Sequence, residues 1–322
     1  MNTRLIGTGS CLPETIVTNY YLSTVMDTSD EWISTRTGIR ERRIAMNETT
    51  TSMAVEAAKR ALADASIAAE EIDLLLVATI TADHYTPSAA CEVQAGLHAK
   101  NAIAFDINAA CSGFMFAIQT ATAYFQAGMA KKALVVGVET LSKIMDWSDR
   151  STCVLFGDGA GAAVLSYDDE GDGLLAIKAG SDGEKGMVLT CKNREVSNLL
   201  TGKEPETGYV SMNGQEVYKF AVSTVPKSIE ETLEEAGISV SEVNYFLLHQ
   251  ANIRIIQSVA KRLGVSEDKF PISLDHCGNI SAASIPILLD ECNRKGLLQK
   301  GDIIVLSGFG GGLTWGTAVI RW

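Results

Sequence analysis

The stretch Phe105-Asp-Ile-Asn-Ala-Ala-Cys111-Ser-Gly-Phe114 decides the fold of this chain. A short apolar run with β propensity enters it. From Cys111 onward the pattern is that of a helix, apolar almost all round, which stops at Gly128. A helix with apolar residues on every side is buried. We therefore expect a strand, a tight turn at Cys111 and a buried helix in succession.

The position of Cys111 at the start of that helix predicts a reactive thiol. Free amide N–H groups and the positive end of the helix dipole meet there. Such a setting lowers the pKa of a thiol and favours the nucleophilic thiolate. The small neighbours Ala109, Ala110, Ser112 and Gly113 leave room for a substrate. A buried structural cysteine is the alternative, because free cysteines commonly pack as small hydrophobic residues.

The composition limits the classes of protein that fit. The 322 residues are 46% hydrophobic and 20% charged, as in a soluble enzyme with about two domain-sized units. The formal net charge of −12 argues against binding to nucleic acid or to a membrane surface. Seven cysteines without a Cys-x-x-Cys pair predict reduced thiols, no zinc ribbon and a cytoplasmic location. The sequence shows no signal-peptide pattern, and no apolar run reaches the roughly 18 residues that span a bilayer.

Two parts of the chain repeat one pattern of elements. A helix over 53–65 leads to a strand over Leu74–Ala78, and a helix over 225–236 leads to a strand over Tyr245–Leu248, at an offset of 171 residues. Alternating strands and helices predict a duplicated α/β protein with largely parallel sheets covered by helices.

A second repeat aligns Cys111 with Asn279 at an offset of 168 residues, each at the start of a helix. If the halves pack about a pseudo-twofold axis, these two residues face each other across one cavity. The acidic, glycine-rich stretch 168–173 is the expected join. It divides the chain into an N-terminal half, 1–170, with the nucleophile, and a C-terminal half, 171–322.

Glycines mark several expected turns. We expect the first strand, over 4–8, to be closed by Gly7 and Gly9. The glycine-rich runs within 156–165 and 309–320 do not fit a nucleotide site, because each leads to an apolar strand and not to a phosphate-binding helix.

A capping-box pattern over Thr28-Ser-Asp-Glu31 predicts the start of a short helix, with Thr28 accepting from the Glu31 amide. Trp32 and Arg36 then share one face at i and i+4. An indole beside a guanidinium suits a stacked purine and its phosphate. A surface ion pair over a packed Trp is the alternative.

His249 and Asn279 are the polar candidates to join Cys111. His249 follows the strand Tyr245–Leu248, and α/β sheets bind ligands at the carboxyl ends of their strands. The alternative for His249 is a buried histidine whose hydrogen bonds are made within the core, and the alternative for Asn279 is a simple Gly-Asn turn. The internal repeat favours a place for Asn279 in the functional site over a simple turn.

These motifs together resemble the bacterial β-ketoacyl-acyl-carrier-protein synthases III, of the thiolase superfamily, over essentially the whole chain. The matching segments are GTGSCLPE, DTSDEWISTRTGIRERR, DINAACSGF, FGDGAGAAVL, HQANIRII, HCGNISAAS and GFGGGLTWG, with Cys277 as a departure in the asparagine motif. The resemblance implies an α/β, internally duplicated, five-layered (αβαβα) thiolase-like fold and a homodimer.

The resemblance also implies the reaction. An acyl group from acyl-CoA is loaded on Cys111, and decarboxylative Claisen condensation with malonyl-acyl-carrier protein gives 3-oxoacyl-acyl-carrier protein, CoA and CO₂. The implied catalytic residues are Cys111, His249 and Asn279, and the amides of Cys111 and Gly311 form the oxyanion hole. No metal or other cofactor is expected, since CoA enters as the substrate thioester. A specialised homologue that condenses other primers is the alternative function.

Further contacts are expected for each substrate. The CoA-binding residues would be Thr28, Trp32, Arg36 and Arg150, and the pocket residues would be Thr86, Phe156 and Phe309. Thr86 replaces a bulky aromatic found in some acetyl-preferring relatives and would contribute to the partner subunit's pocket, which allows longer or branched primers. Local basic residues predict the surface for an acidic carrier protein: Lys219, Arg254, Lys261 and Arg262.

Other classes fit less well. Degradative thiolases carry a second cysteine where this chain has Gly308, and chain-elongating synthases carry a second histidine where it has Asn279. Cysteine proteases share the order Cys, His, Asn, but the Cys-Gly-Ser-Cys-Trp motif is absent. A catalytically silent scaffold remains a further alternative.

Overall fold

The computed structural model describes residues 2–168, 173–202, 204, 206 and 208–322. The boundary predicted between residues 170 and 171 lies outside the described residues. The strands are β1 (Asn2–Cys11), β2 (Ile16–Thr18), β3 (Glu41–Arg43), β4 (Leu74–Ala78), β5 (Ile103–Ile107), β6 (Lys132–Thr140), β7 (Asp158–Asp168), β8 (Leu174–Ser181), β9 (Leu189–Cys191), β10 (Val210–Met212), β11 (Tyr245–Leu248), β12 (Ile303–Gly310) and β13 (Thr314–Arg321). The α-helices are α1 (Asn19–Val25), α2 (Asp30–Thr37), α3 (Thr50–Ala65), α4 (Ala89–Leu97), α5 (Gly113–Gln126), α6 (Gly214–Ala236), α7 (Ile253–Leu263), α8 (Leu274–Cys277) and α9 (Ser284–Arg294).

Two mixed sheets form the framework. One has the strand order β1-β7-β6-β4-β5 and the other the order β11-β12-β13-β8. The strands β5, β4 and β6 run parallel, as do β11 and β12. The pairs that involve β1, β7, β8 and β13 are antiparallel, so the expectation of largely parallel sheets is wrong for these strands. The turn between β12 and β13 is too short for a helical crossover and permits only an antiparallel hairpin.

The layers follow the predicted αβαβα order. The helices α3 and α4 pack on the first sheet, α6 and α7 accompany the second, and α5 and α9 contact strands of both sheets. The prediction of a buried helix after Cys111 is confirmed, because Phe114, Ile118 and Phe125 are at most 1% exposed. None of the helices in the described ranges is both long and apolar enough to cross a bilayer.

The first strand extends further than predicted. β1 continues through Gly7 and Gly9 to Cys11, so the expected closure at these glycines is wrong. A Cβ on Gly7 would lie 2.5 Å from the Ala61 carbonyl oxygen, and one on Gly9 would overlap the Ala57 carbonyl oxygen. The two glycines therefore allow α3 to approach the strand closely and do not end it.

Two helix starts also differ from the predictions. The N-cap of α2 is Ser29, whose side chain accepts from the Trp32 amide at 3.0 Å, so the capping box at Thr28 is wrong. The helix α6 begins at Gly214 and not near residue 225, because the Asn213 side chain caps it by accepting from the Glu216 amide.

The duplication is visible in a pair of matching turns. A 3₁₀ turn over Ala110–Ser112 precedes α5, and one over Ser281–Ala283 precedes α9. Each begins with a left-handed residue, Ala110 at φ +44° and Ser281 at φ +45°. The offset between the turns is therefore 171 residues, and the counterpart of Cys111 is Ala282.

The alignment of Cys111 with Asn279 is therefore wrong. The helix α9 has 11 residues and α5 has 14, so the offset becomes 168 only at the helix ends, near Gly128 and Gly296. The 168-residue repeat in the sequence therefore aligns the helix ends and not the turns. The true counterpart of Asn279 is Asn108, which precedes the first turn as Asn279 precedes the second.

Gly137 on β6 lies where the turn Ser281–Ala283 packs on the first sheet, and a Cβ there would overlap the Ala282 carbonyl oxygen. We expect Gly137→Ala to lower the free energy of unfolding by about 1–3 kcal/mol, because the turn has to move. Thermal or urea unfolding measures this. The matched control Gly183→Ala, at a position with open space around it, should change the free energy of unfolding by less than about 0.5 kcal/mol. Equal stability of the two variants would contradict this packing.

Candidate active site

Cys111 lies in the turn between β5 and the central helix α5, as the sequence predicts. It is 7% exposed. The backbone after Phe309 runs against it, since a Cβ on Gly310 would lie 2.6 Å from the Cys111 Cβ and 2.9 Å from its Sγ. Ser112 Oγ and Thr314 Oγ1 are 2.8 Å apart and link the turn to β13. Any larger residue at position 310 would push this backbone away from the thiol.

Two backbone amides are directed at the sulfur. The N–H groups of Cys111 and Gly311 both lower the pKa of the Cys111 thiol by hydrogen bonding to it. These are the two amides expected to form the oxyanion hole. An acyl group on this sulfur would place its carbonyl oxygen near the same donors.

Burial nevertheless dominates the electrostatics of the thiol. It raises the pKa of Cys111 to about 11, against the smaller lowering by Ser281 and the two amides. The expectation that the turn alone lowers this pKa is therefore wrong for the substrate-free protein, because the loss of solvent outweighs the helix terminus.

His249 directly follows β11 and is 2% exposed. Its amide donates to the Ser307 carbonyl at 2.8 Å, and its ring meets Phe309 edge-on at 5.2 Å. Burial lowers the pKa of His249 to about 3, so the imidazole is neutral at physiological pH. Its Nδ1 is buried and makes no hydrogen bond to the described residues.

Asn279 is fixed by its backbone and its side chain. Its amide donates to the Leu155 carbonyl at 2.9 Å, and its carbonyl accepts from Gly157 at 3.0 Å, which places it beside Phe156. Its Oδ1 accepts from the Ser281 amide at 2.9 Å. This bond leaves the Nδ2 group as the free end of the side chain.

Shared neighbours connect the three expected catalytic residues. Phe309, which contacts the His249 ring, is followed by Gly310, which packs on Cys111. Asn279 bonds the amide of Ser281, and the presence of the Ser281 hydroxyl lowers the pKa of the Cys111 thiol. The structure thus brings residues from both halves to one buried place.

Sequence reasoning missed Glu139 and Ser281 beside the thiol. Glu139 is fully buried at the end of β6, and its charge raises the pKa of Cys111. Burial raises the pKa of the Glu139 carboxyl to about 7. The signal in the sequence is the lone acidic residue Glu139 directly after the apolar run Ala133–Val138.

The expected CoA-binding residues form a second cluster. The guanidinium carbons of Arg36 and Arg150 lie 4.8 and 5.4 Å from the Trp32 ring centroid. Arg150 also bonds the carboxylate and the carbonyl oxygen of Asp27. Thr28 Oγ1 is buried and makes no hydrogen bond in the described structure. The predicted pairing of Trp32 with Arg36 on one helix face is confirmed.

The basic residues of the expected carrier-protein surface are exposed, but three of them have partners. Arg254 donates to the Thr35 carbonyl at 2.8 Å and Arg262 to the Val222 carbonyl at 3.0 Å. Lys219 pairs with Glu216 at 2.8 Å. Lys261 makes no ion pair within the described ranges. Arg254 thus also holds α2, so its substitution would disturb the Trp32 cluster.

Thr86 is exposed on the loop after β4, whereas Phe156 and Phe309 are buried. The neighbouring Tyr85 donates its hydroxyl to Asn193 at 2.8 Å. Asn193 belongs to the stretch 191–208, where the described residues after Cys191 form no helix or strand.

A cluster of His276, Cys277 and Glu291 has metal-ligand types within 4.8 Å of one another. The carboxylates of Asp275 and Glu291 each lie 2.8 Å from one nitrogen of the His276 imidazole. Hydrogen bonds to these carboxylates and to Cys277 raise the pKa of His276 to about 12. An imidazolium that donates a hydrogen bond from each ring nitrogen offers no lone pair to a metal. The cluster is therefore an ion-pair network.

A cysteine at the start of a central helix, with two amides at its sulfur, a neutral histidine and an asparagine, on a duplicated five-layered fold, defines a thiolase-like condensing enzyme. Comparisons support this class. The family model "3-Oxoacyl-[acyl-carrier-protein (ACP)] synthase III" matches residues 105–183, and the model of its C-terminal part matches residues 233–322.

Relatives match over nearly the full length. The beta-ketoacyl-[acyl-carrier-protein] synthase III of Clostridium acetobutylicum is 52% identical, with 99% of this chain and 98% of the relative covered. The crystal structure of the 3-oxoacyl-[acyl-carrier-protein] synthase III of Aquifex aeolicus VF5 has a TM-score of 0.94 at 45% identity, with 100% of both chains covered. The priming β-ketosynthase of the R1128 polyketide pathway has a TM-score of 0.92 at 37% identity, with 99% and 96% covered. This chain belongs to the β-ketoacyl-[acyl-carrier-protein] synthase III family and is an acyltransferase of fatty acid synthesis.

The raised pKa of Cys111 predicts how the free enzyme reacts with iodoacetamide. Because only the thiolate reacts, the alkylation rate at Cys111 should rise about tenfold per pH unit from pH 7 to about pH 10. Peptide mass spectrometry at each pH follows this residue, and a Cys111→Ala variant identifies its peptide. A plateau already at pH 7–8 would show that the helix terminus outweighs burial.

Proposed function

We propose that this enzyme carries out the initiating condensation of fatty acid synthesis, with an acyl-CoA primer loaded on Cys111 and malonyl-acyl-carrier protein as the second substrate. The observation that carries the proposal is the buried Cys111 thiol with the amides of Cys111 and Gly311 directed at it. An arrangement of this kind stabilises the tetrahedral oxyanion of acyl transfer.

The second half-reaction needs donors that are uncharged. Loss of CO₂ from the malonyl group leaves an enolate whose oxygen requires hydrogen bonds, and its carbanion then attacks the acyl-Cys111 thioester. His249 is neutral, because burial lowers its pKa to about 3. Asn279 directs Nδ2 away from the bond that its Oδ1 makes to Ser281. Both side chains can therefore donate to the enolate oxygen. Because the carboxylate leaves as CO₂, the mechanism needs neither a base to remove a carbon-bound proton nor a metal.

The Trp32 cluster supports a site for the CoA nucleotide. Trp32 offers an aromatic face, and Arg36 and Arg150 bring two positive charges to it. In this proposal the adenine stacks on Trp32, the guanidiniums meet the phosphates and Thr28 completes the site.

The exposed edge of the first sheet supports a homodimer. β5 is the last strand of that sheet, and its Ile103 is 50% exposed. An uncovered strand edge with apolar side chains favours pairing with a second copy. In such a dimer the exposed Thr86 would contribute to the partner subunit's acyl pocket, next to Phe156 and Phe309.

A specialised role in secondary metabolite or signal synthesis is the second candidate, and the similarity to a priming β-ketosynthase of a polyketide pathway favours it. The choice of primer separates the two roles. Incubation with malonyl-carrier protein and a panel of acyl-CoAs, read by product mass, tests both. Preference for short acyl-CoAs would support the primary role, and exclusive use of unusual primers would support the second.

The division of roles predicts different losses in the two half-reactions. His249→Ala and Asn279→Ala should each slow condensation about 10²–10³-fold, as loss of one oxyanion donor does. Acylation of Cys111 should fall less, because its amide donors remain. Single-turnover acylation followed by mass spectrometry, with Cys111→Ala as the blank, measures this. A variant that condenses at the wild-type rate but is not acylated would contradict the mechanism.

Lys261 gives the sharpest test of the carrier-protein surface, because Arg254, Arg262 and Lys219 have structural partners. We expect Lys261→Glu to raise the KM for malonyl-carrier protein about threefold to tenfold at low salt, with less effect at high salt. Transfer from acyl-CoA should stay unchanged. The control Lys59→Glu reverses an exposed charge on α3. Equal effects of both variants would exclude a local surface at Lys261.

A further inference from the structure

Glu139 holds a buried carboxyl group beside the nucleophile. Its carboxylate accepts from Thr81 Oγ1 at 2.5 Å, from Thr79 Oγ1 at 3.2 Å and from the Ile80 amide at 3.1 Å. In β6 the side chains of residues 137 and 139 point to the same face, and Gly137 meets the turn Ser281–Ala283. Glu139 therefore faces the turn that packs against Cys111.

Ser281 belongs to the turn that packs both against the turn of Cys111 and against β6, the strand that carries Glu139. Its presence lowers the pKa values of both Glu139 and Cys111. Its backbone is left-handed, with φ +45°, and its amide is tied to Asn279. Its hydroxyl is buried but makes no hydrogen bond in the described structure. A buried hydroxyl held without a fixed partner between two ionisable groups is free to turn to either.

We propose that Ser281 and Glu139 form a proton relay for Cys111, an inference that rests on the proposed acylation of this thiol. When the sulfur attacks the acyl carbon, the S–H proton passes to Ser281 Oγ, and the hydroxyl proton of Ser281 passes to the Glu139 carboxylate. The new S–C bond forms as the bond from the acyl carbon to the CoA sulfur breaks. The CoA thiolate, leaving beside Ser281, takes the proton back by the reverse path, which restores the carboxylate.

The relay supplies a proton acceptor for the Cys111 thiol, a role that His249 does not fill. A proton acceptor works best when its pKa lies near the working pH. Burial lowers the pKa of His249 to about 3 and raises that of Glu139 to about 7, so the carboxylate is the stronger base at the thiol. Because Cys111 is buried, its proton has to go to a group inside the protein.

Other charges around Glu139 are already engaged. Lys143 follows β6, donates to the Thr81 carbonyl and lies 3.6 Å from Asp83. Asp158, on the neighbouring strand β7, accepts from Ser142 and from the Ala45 amide. The charge of Glu139 contributes to the raised pKa of Cys111. Glu139 acts through Ser281 and is thus a positioning residue, whereas Ser281 lies beside the reacting sulfur.

The experiment measures two reactions of the same thiol in Glu139→Gln. The rate of single-turnover acylation by acyl-CoA should fall about 100-fold at pH 7.5. In the wild type this rate should rise with pH around pH 7, and the variant should lose this limb of the pH profile. Alkylation by iodoacetamide in the free enzyme should instead become faster at a given pH, because a negative charge near the thiol is gone. Opposite changes in the two rates cannot come from misfolding.

Two further variants complete the test. Ser281→Ala should lose the same limb, and Glu139→Asp should restore part of the acylation rate. Asp158→Asn, which neutralises another buried carboxylate bonded to backbone amides, should keep the limb. Acylation of Glu139→Gln at or above the wild-type rate would overturn the relay and leave Glu139 only an electrostatic role. A parallel loss of alkylation and acylation in both relay variants would overturn it in favour of a structural role. A wild-type enzyme that is not acylated at Cys111 would instead refute the proposed function.

Discussion

The contact between two tight turns, Ala110–Ser112 and Ser281–Ala283, is the constraint on which the rest of this structure depends. Each turn starts a central helix and includes a left-handed residue that is not glycine, a conformation that costs about 1–3 kcal/mol. The glycines that face the second turn, Gly113 and Gly137, let the backbones approach closely. This contact joins the starts of the two central helices and holds the thiol of Cys111 between the two halves.

Desolvation gives the site its resting charge state. It keeps the thiol of Cys111 protonated and the imidazole of His249 neutral, and it leaves the carboxyl of Glu139 only partly ionised near pH 7. A site with little net charge can be buried at low cost. The negative charges of the reaction, on the tetrahedral oxyanion and on the enolate, would then meet hydrogen-bond donors with little water to compete.

The sequence predicts those features that depend on local pattern. The apolar run of α5, the strands β4 and β11 and the pairing of Trp32 with Arg36 follow from periodicity and spacing. Features that depend on packing between distant parts of the chain are not predicted by the sequence. The glycines at positions 7 and 9 are compatible with a turn and also with a strand that a helix approaches closely. Only the position of α3 in the structure distinguishes these two cases. The pKa of Cys111 and the role of Glu139 depend on what surrounds them in three dimensions, and the sequence does not state the depth of burial.

Ala282 stands where Cys111 stands in the other half, and this difference breaks the symmetry of the duplicated fold. A second cysteine at that position would put two competing nucleophiles at one interface, and a primer could be captured on either. With a methyl group there, the proposed primer would have one attachment point. The second half is then free to supply donors in place of a nucleophile. In the proposed reaction the duplication thus yields a division of labour, in which one copy of the turn would hold the acyl chain and the other would supply its surroundings.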